Sequence, residues 1–343
     1  MNLDDLIGHG PVLGLLAEEA NHPAQAYLFV GPANVGKATV ARRFAAALLC
    51  EGDGDCQRRV IQGIHPDLAI VEPDGRTALT VDQARATVAM ASLAPVEGGR
   101  KVFLFEEAGL MNDEAANALL KTLEEPTRST VFLLVTDSED DLPATVASRA
   151  RIVHFGRVAE GEVIEALLGF NIDPDQAANA ARISGGRPGL ALALATRPEV
   201  AEFRHAWLSV PLRVSARPGE AYRLAEEVMA ASEPLLAAIK ARQEAEDGSA
   251  RSTDRYEREI KRASSALHVT GLEILASWYR DAAAAQLGAG VRNHDIAATA
   301  LTAVPPATAV HCAERVLNTI DALGANQRPQ LAFASLFADL GVE

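Results

Sequence analysis

Positive charge is in short supply in this chain: 32 Lys and Arg stand against 46 Asp and Glu, for a formal net charge of −14. A protein that grips nucleic acid alone presents Lys and Arg that displace counterions from phosphates. The deficit argues against such a protein, and any work on DNA would need partners supplying most of the positive charge. Long apolar runs are missing too: no stretch reaches the ~18 residues a bilayer-spanning helix needs. The opening MNLDDLIGHG has neither the basic start nor the apolar centre of a secretory leader. Cysteine is sparse, and its odd count of three shows no disulfide-like pattern, so a reducing cytoplasm is the expected home. Aromatic residues make up only 5%, while Ala-rich runs late in the chain favour helix.

What is present suits a soluble globular protein of two or three domains, with 343 residues of which 48% are hydrophobic. Between residues 26 and 155, short apolar runs alternate with helical periodicity. AYLFVG, DLAIVE, KVFLFE, TVFLLVT and RIVHF read as strands, and VDQARATVAMAS and DEAANALLKTLEE as helices between them. Strands alternating with helices predict βαβ crossovers and a mostly parallel sheet covered on both faces. After Phe155 the strand signals stop. Residues 158–197 carry short helices around the turn-rich ISGGRPG, and from 198 onward helix follows helix. A charged stretch there, RQEAEDGSARSTDRYEREIKR, reads as a solvent-facing helix pair with a loose connection at Asp247–Ser249. The expected fold class is α/β plus all-α, with divisions near 1–155, 156–197 and 198–343.

GPANVGKAT (Gly31–Thr39) follows the first strand and opens a helix, the setting in which a phosphate-binding loop is credible. Gly31 and Gly36 let backbone amides turn towards phosphate oxygens at a positive helix N-terminus, and Lys37 would lie against the β- and γ-phosphates. The hydroxyl that normally follows this lysine and binds Mg²⁺ is missing. Ala38 stands there, and Thr39 comes one residue late, roughly 100° further round the helix. At the end of KVFLFEE, Glu106 and Glu107 reach the sheet edge where open α/β folds bind ligands. The first acid there is usually Asp, holding Mg²⁺ through water, and the second polarises the attacking water. With both metal anchors altered, ATP remains a candidate ligand, Mg²⁺ is disfavoured, and slow or absent hydrolysis is expected. A Gly-rich turn without any ligand is the plainer alternative.

The most specific stretch is EEAGLMNDEAANALLKTLEEP (Glu106–Pro126). NALLKTLEEP directly after an acidic strand resembles the AAA+ subunits of bacterial clamp loaders. LDDLIGH, QAYLFVGP, GIHPDLAIVEP and FLLVTDSEDDLPATVASRARIVHF agree with it. The resemblance is dense from residue 3 to about 195 and reaches the helical remainder loosely, through NQRPQLAFASLFADL. It implies a RecA-like P-loop domain, a small helical lid and a helical collar for oligomerisation. It also implies partners: a gamma/tau motor subunit, a delta subunit, the sliding clamp, and primer-template DNA within the complex.

Departures from the family pattern favour a non-motor subunit over the motor. Ala38 and Glu106 replace the motor's usual pair. The lid arginine expected in GRPGLAL falls on Gly189, with Arg187 out of register. The family's SRC motif reads SRA here, keeping Ser148 and Arg149, with Ala150 in place of the cysteine. In that family this arginine serves the ATP of the neighbouring subunit, so Arg149 is the expected catalytic group, acting in trans. The alternative is an ordinary surface arginine beside the strand at Arg151. Thr136 occupies the sensor 1 region. The family's four-cysteine zinc knuckle is reduced to Cys50 and Cys56 in CEGDGDCQRRVIQGIHPD, with Cys312 far away. Structural zinc needs four close ligands. Asp55 and His65 complete a set only on paper, so the pair reads as a relic, no zinc is expected, and His65 would brace the turn to Asp67.

Overall fold

The computed structural model describes residues 6–32, 35–73, 78–125, 127, 129–238, 253–324 and 327–342, with the side chains of 253–259 and 262 excepted. The connection expected at Asp247–Ser249, Pro126 of the LEEP segment and residues 33–34 of the phosphate loop lie outside the described residues. The chain divides into two compact units, Met1–Leu192 and Ala193–Glu343.

In chain order the first unit begins α1 (Gly10–Glu19), β1 (Ala26–Val30), α2 (Lys37–Leu49), α3 (Gly54–Ile61) and β2 (Leu68–Ile70). It continues α4 (Val81–Ala91), β3 (Lys101–Phe105), α5 (Asp113–Glu124), β4 (Thr130–Thr136), α6 (Ala144–Ala147) and β5 (Arg151–His154). Two further helices, α7 (Glu160–Gly169) and α8 (Pro174–Ser184), follow. The strands form one parallel sheet in the order β2-β3-β4-β1-β5. Ala26 lies opposite Phe132, and Tyr27 opposite Arg151. Every residue of β1, β3 and β4 is buried, as a parallel sheet covered on both faces requires.

Alternate strand residues feed two separate cores, because side chains leave a strand on opposite faces in turn. Tyr27, Phe29 and Leu133 pack with Leu16 of α1, Phe44 of α2 and Val60 of α3. Leu28, Phe103 and Phe132 pack on the other face with Ala84 of α4, Leu119 of α5 and Val146 of α6. Asn112 accepts a hydrogen bond from the Ala115 amide at 2.8 Å and so starts α5 directly behind β3. Asp67, fully buried before β2, accepts from the amides of Val96, Glu97 and Gly98 at 2.5, 2.8 and 3.0 Å. Burial would raise its pKa, but these three donors hold the carboxyl below its ordinary range.

Helix α9 (Pro188–Thr196) spans the division, and the second unit has no strand among its described residues; its helices include α10 (Pro198–Ser209), α11 (Pro218–Ala230), α12 (Thr253–Gln286), α13 (Ala298–Leu301), α14 (Pro306–Gly324) and α15 (Pro329–Leu340). Its core is aromatic. Trp207 of α10 meets Phe333 of α15 edge-on at 5.3 Å, and a Cβ at Gly271 of α12 would fall 2.0 Å from the indole. Only glycine admits the ring this closely. Buried Arg204 is held by Asp295 and by Asn293 Oδ1 at 2.7 Å. Asp281, fully buried, accepts from the amide of Asn293 at 2.7 Å and tethers the same loop to α12. No helix among the described residues is long and apolar enough to cross a membrane.

Candidate nucleotide loop and trans-acting arginine

Three loops meet at the carboxyl ends of β1, β3 and β4, and they carry most of the residues singled out in the sequence. Gly31 leaves β1 with φ 154°, and a Cβ there would lie 2.1 Å from the carbonyl oxygen of Phe155. The loop can pass the end of β5 only without a side chain. Gly36 caps α2 with φ 106°, a conformation that favours glycine. His9 Nε2 pairs with the Val35 carbonyl at 2.8 Å and braces the loop from the α1 side.

Lys37 is buried, and its ammonium group turns back on its own loop. It donates to the carbonyls of Gly31 at 2.6 Å and Pro32 at 2.7 Å, and to Asp137 Oδ1 at 2.8 Å. An ammonium has three donors, and all three are used by protein groups. A phosphate would have to displace Asp137, which lies mostly in solvent at 66% exposure, and the pair is correspondingly weak.

On the acidic strand, Glu106 faces Arg42 of α2. Arg42 donates from Nε to one carboxylate oxygen and from Nη2 to the other at 2.8 Å, a bidentate fork. Arg42 Nη1 also reaches the Ile61 carbonyl at 3.3 Å. Ala38 brings no oxygen, Thr39 is exposed on the outer side of α2, and both oxygens of Glu106 are engaged by a cation. As arranged here, these positions do not fit a divalent metal. Glu107 stands half-buried just before the short turn Ala108–Leu110, its carbonyl accepting from the Leu110 amide at 3.0 Å. Thr136 is buried at the end of β4 and donates its hydroxyl to Asp141 Oδ2 at 2.6 Å. Asp141 Oδ2 also accepts from the Ser138 amide at 2.8 Å, so Thr136 helps fix the turn after β4.

Arg149 follows α6, away from this loop in sequence. Its Nε donates to Glu124 Oε1 at 2.9 Å, Nη2 pairs with the same oxygen, and Nη1 donates to the Thr145 carbonyl at 2.7 Å. Glu124 is the last residue of α5, within LEEP. Neighbouring Arg151 is tied elsewhere, to Glu19 Oε1 at 2.5 Å, and Glu19 in turn accepts from the Tyr27 hydroxyl at 2.8 Å. Just before α9, Arg187 is buried, with Nε donating to the Ser184 carbonyl at 3.0 Å.

The cysteines correct an expectation. The odd count showed no disulfide-like pattern, but Cys50 and Cys56 are joined in a disulfide, with Cα atoms 5.7 Å apart, and buried Cys312 is free. Cys50 ends α2 and Cys56 lies on the buried side of α3, so the short loop brings the sulfurs together. The ligand atoms of Cys50, Cys56 and His65 lie within 4.8 Å of one another. Asp55 does not join them, since it pairs with Arg58 on the surface. Three groups, two of them consumed in a sulfur–sulfur bond, do not fit structural zinc. His65 does brace the turn, its Nδ1 accepting from the Asp67 amide at 3.1 Å.

Four contributors were not apparent from sequence: His9, Arg42, Glu124 and Asp137. Arg42 had the clearest signal, as one of two arginines in the otherwise apolar run VARRFAAALL.

Residues 15–159 match the family described as DNA polymerase III, delta subunit. The chain is 42% identical over 143 residues to the DNA polymerase III subunit delta′ of Pseudomonas aeruginosa, covering 39% of this chain and 43% of that one. To the delta′ subunit of Bacillus subtilis it is 29% identical over 211 residues, 60% of this chain and 64% of that one. It is also 34% identical over 173 residues to the tau/gamma subunit of Haemophilus influenzae, 48% of this chain and 25% of that one. The match thus spans less than half the length of the Pseudomonas relative. Over residues 15–159, then, this chain is similar to the delta′ and tau/gamma subunits of bacterial DNA polymerase III.

Proposed function

We propose that this chain is the delta′ subunit of a bacterial clamp loader, a ring partner that helps place the sliding clamp on primed DNA during replication. It hydrolyses ATP poorly or not at all and lends Arg149 to the ATP held by a neighbouring gamma/tau motor subunit. An arginine supplied in trans can be worth ~10³–10⁵ in rate. The observation that carries the reading is the Arg42–Glu106 fork, which engages the carboxylate a P-loop ATPase would use to hold its metal. The family match and the SRA motif support the choice of partner. Residues 156–197 serve as the lid and 198–343 as the collar that binds the other subunits, the delta subunit among them. With its acidic balance, the chain meets primer-template DNA only within the assembled ring, in the cytoplasm at the nucleoid-associated replisome.

The test is DNA-stimulated ATPase of a ring rebuilt from cognate motor subunit, delta, clamp and primed DNA, with this chain wild type or Arg149→Ala. Equal assembly with turnover lowered at least several-fold is expected. Equal assembly with unchanged turnover would remove the arginine role, and failure to assemble with folded partners would remove the clamp-loader role.

A second reading, an active motor-like ATPase, is favoured by the retained Gly31, Gly36 and Lys37 and by the similarity to a tau/gamma subunit. It requires ATP turnover by the isolated chain that Lys37→Ala abolishes.

A further inference from the structure

Arg149 does not project freely from the isolated chain. Glu124 Oε1 accepts from Nε at 2.9 Å and from Nη2, while Nη1 is shared between the Thr145 carbonyl at 2.7 Å and Ser148 Oγ at 3.3 Å. A guanidinium has five N–H donors. Four nitrogen-to-oxygen contacts therefore account for most of them, on both the side edge and the Nη1 corner. The Thr145 carbonyl belongs to the last turn of α6, where carbonyls lack helical partners and the helix end attracts a cation. A carboxylate from α5 and a carbonyl from α6, which also accepts from the Ser148 hydroxyl at 3.2 Å, thus hold the arginine against its own subunit. Both side chains are partly in solvent, 32% exposed for Arg149 and 48% for Glu124. The hold is therefore one that a more highly charged anion can break.

We propose that Glu124 is a positioning residue for Arg149: a parking carboxylate that competes with the neighbouring subunit's nucleotide phosphate for the guanidinium. This rests on the reading of Arg149 as the arginine that serves the neighbour. In the open ring the arginine stays on Glu124. When the interface closes, a triphosphate of higher charge in a drier setting takes the Nη edge, and Glu124 is left to solvent at little cost because it is already half-exposed. Glu124 thereby suppresses hydrolysis before DNA engages, without limiting the closed state.

The experiment measures ATP turnover of the rebuilt ring with and without primed DNA, using this chain as wild type, Glu124→Gln, Glu124→Asp, Arg149→Ala and the Glu124→Gln/Arg149→Ala double variant. Gln preserves size and removes the charge. Glu124→Gln should raise DNA-independent turnover by about two- to fivefold, the scale on which an exposed ion pair acts, and leave the DNA-stimulated maximum unchanged. Glu124→Asp should return the ratio towards wild type, and the double variant should match Arg149→Ala alone. A purely structural tie between α5 and α6 would not raise basal turnover through Arg149 alone. Unchanged or lowered basal turnover in Glu124→Gln, with Arg149→Ala still impaired, would overturn the parking role and leave the arginine reading standing. A rise that persists in the double variant would overturn it as well. Silence of Arg149→Ala would overturn both.

Discussion

Arg42 on helix α2 and Glu106 at the end of strand β3, 64 residues apart in sequence, meet in a two-point ion pair. Both are partly buried, at 30% and 19% exposure. Removing one partner leaves the other's charge partly desolvated. Arg42→Ala should therefore destabilise the α/β unit by ~1–3 kcal/mol in urea unfolding. Arg42→Lys should recover only part of this, since an ammonium cannot reproduce the fork.

The same pair predicts how the loop responds to metal. A ligand that binds only the folded state raises the melting temperature in proportion to its occupancy. Millimolar MgCl₂ added to ATP should give the isolated chain no more thermal shift than ATP with EDTA. A shift that depends on the metal would return Glu106 to a metal-holding role.

Asp67 ties the start of β2 to the turn after α4 through three amides. Asp67→Asn keeps the shape but sets an NH₂ group among these donors, and should cost ~1–3 kcal/mol. The folded carboxyl titrates below its ordinary value of 3.8. Its stabilisation is therefore fully present above the unfolded pKa and is lost as the pH falls through the lowered folded one. Acid titration of stability should show a smaller loss over that window in Asp67→Asn than in wild type.

His268 of α12 is buried edge-on against Phe333, 5.4 Å between ring centres, and burial lowers its pKa from the ordinary 6.5. Below that value the unfolded chain takes up the proton more readily than the folded one. The helical unit should therefore lose stability as the pH falls through this range, and keep it above. Urea unfolding at about pH 7.5 and about pH 5 should show the loss in wild type and a reduced loss in His268→Leu.

The strands are legible in the sequence because a parallel sheet covered on both faces demands unbroken apolar runs, and AYLFV, KVFLF and TVFLLVT are such runs. DLAIVE is the least faithful. Only Leu68–Ile70 is strand, although the Asp67 carbonyl accepts from the Val102 amide and Val71 donates to the Leu104 carbonyl, both at 2.8 Å. The glycines of the loop are legible as well, since each needs a backbone that other residues resist. What the side chains of the site do to one another is not. Lys37 finds Asp137 across 100 residues, and Arg149 finds Glu124 across 25. Local spacing reports which residues share a helix face or strand end. It carries no information about which charge from a distant loop arrives beside them. The disulfide escaped for a related reason: an odd cysteine count says nothing about whether two of the three lie at the ends of one short loop.

The sheet order has a consequence for how the chain is made. β1 is flanked by β4 and β5, which the ribosome delivers about a hundred residues after it. Until then AYLFV has no hydrogen-bonding neighbour, and both of its faces are apolar. Pairings this distant in sequence are slow to form, and a bare strand is a site for wrong partners. Successful synthesis therefore depends on keeping an early strand unclaimed until residue 154 has emerged. A pulse of synthesis halted at residue 125 should leave this segment open to protease and to chaperones, and one continued until residue 154 has left the ribosome should close it.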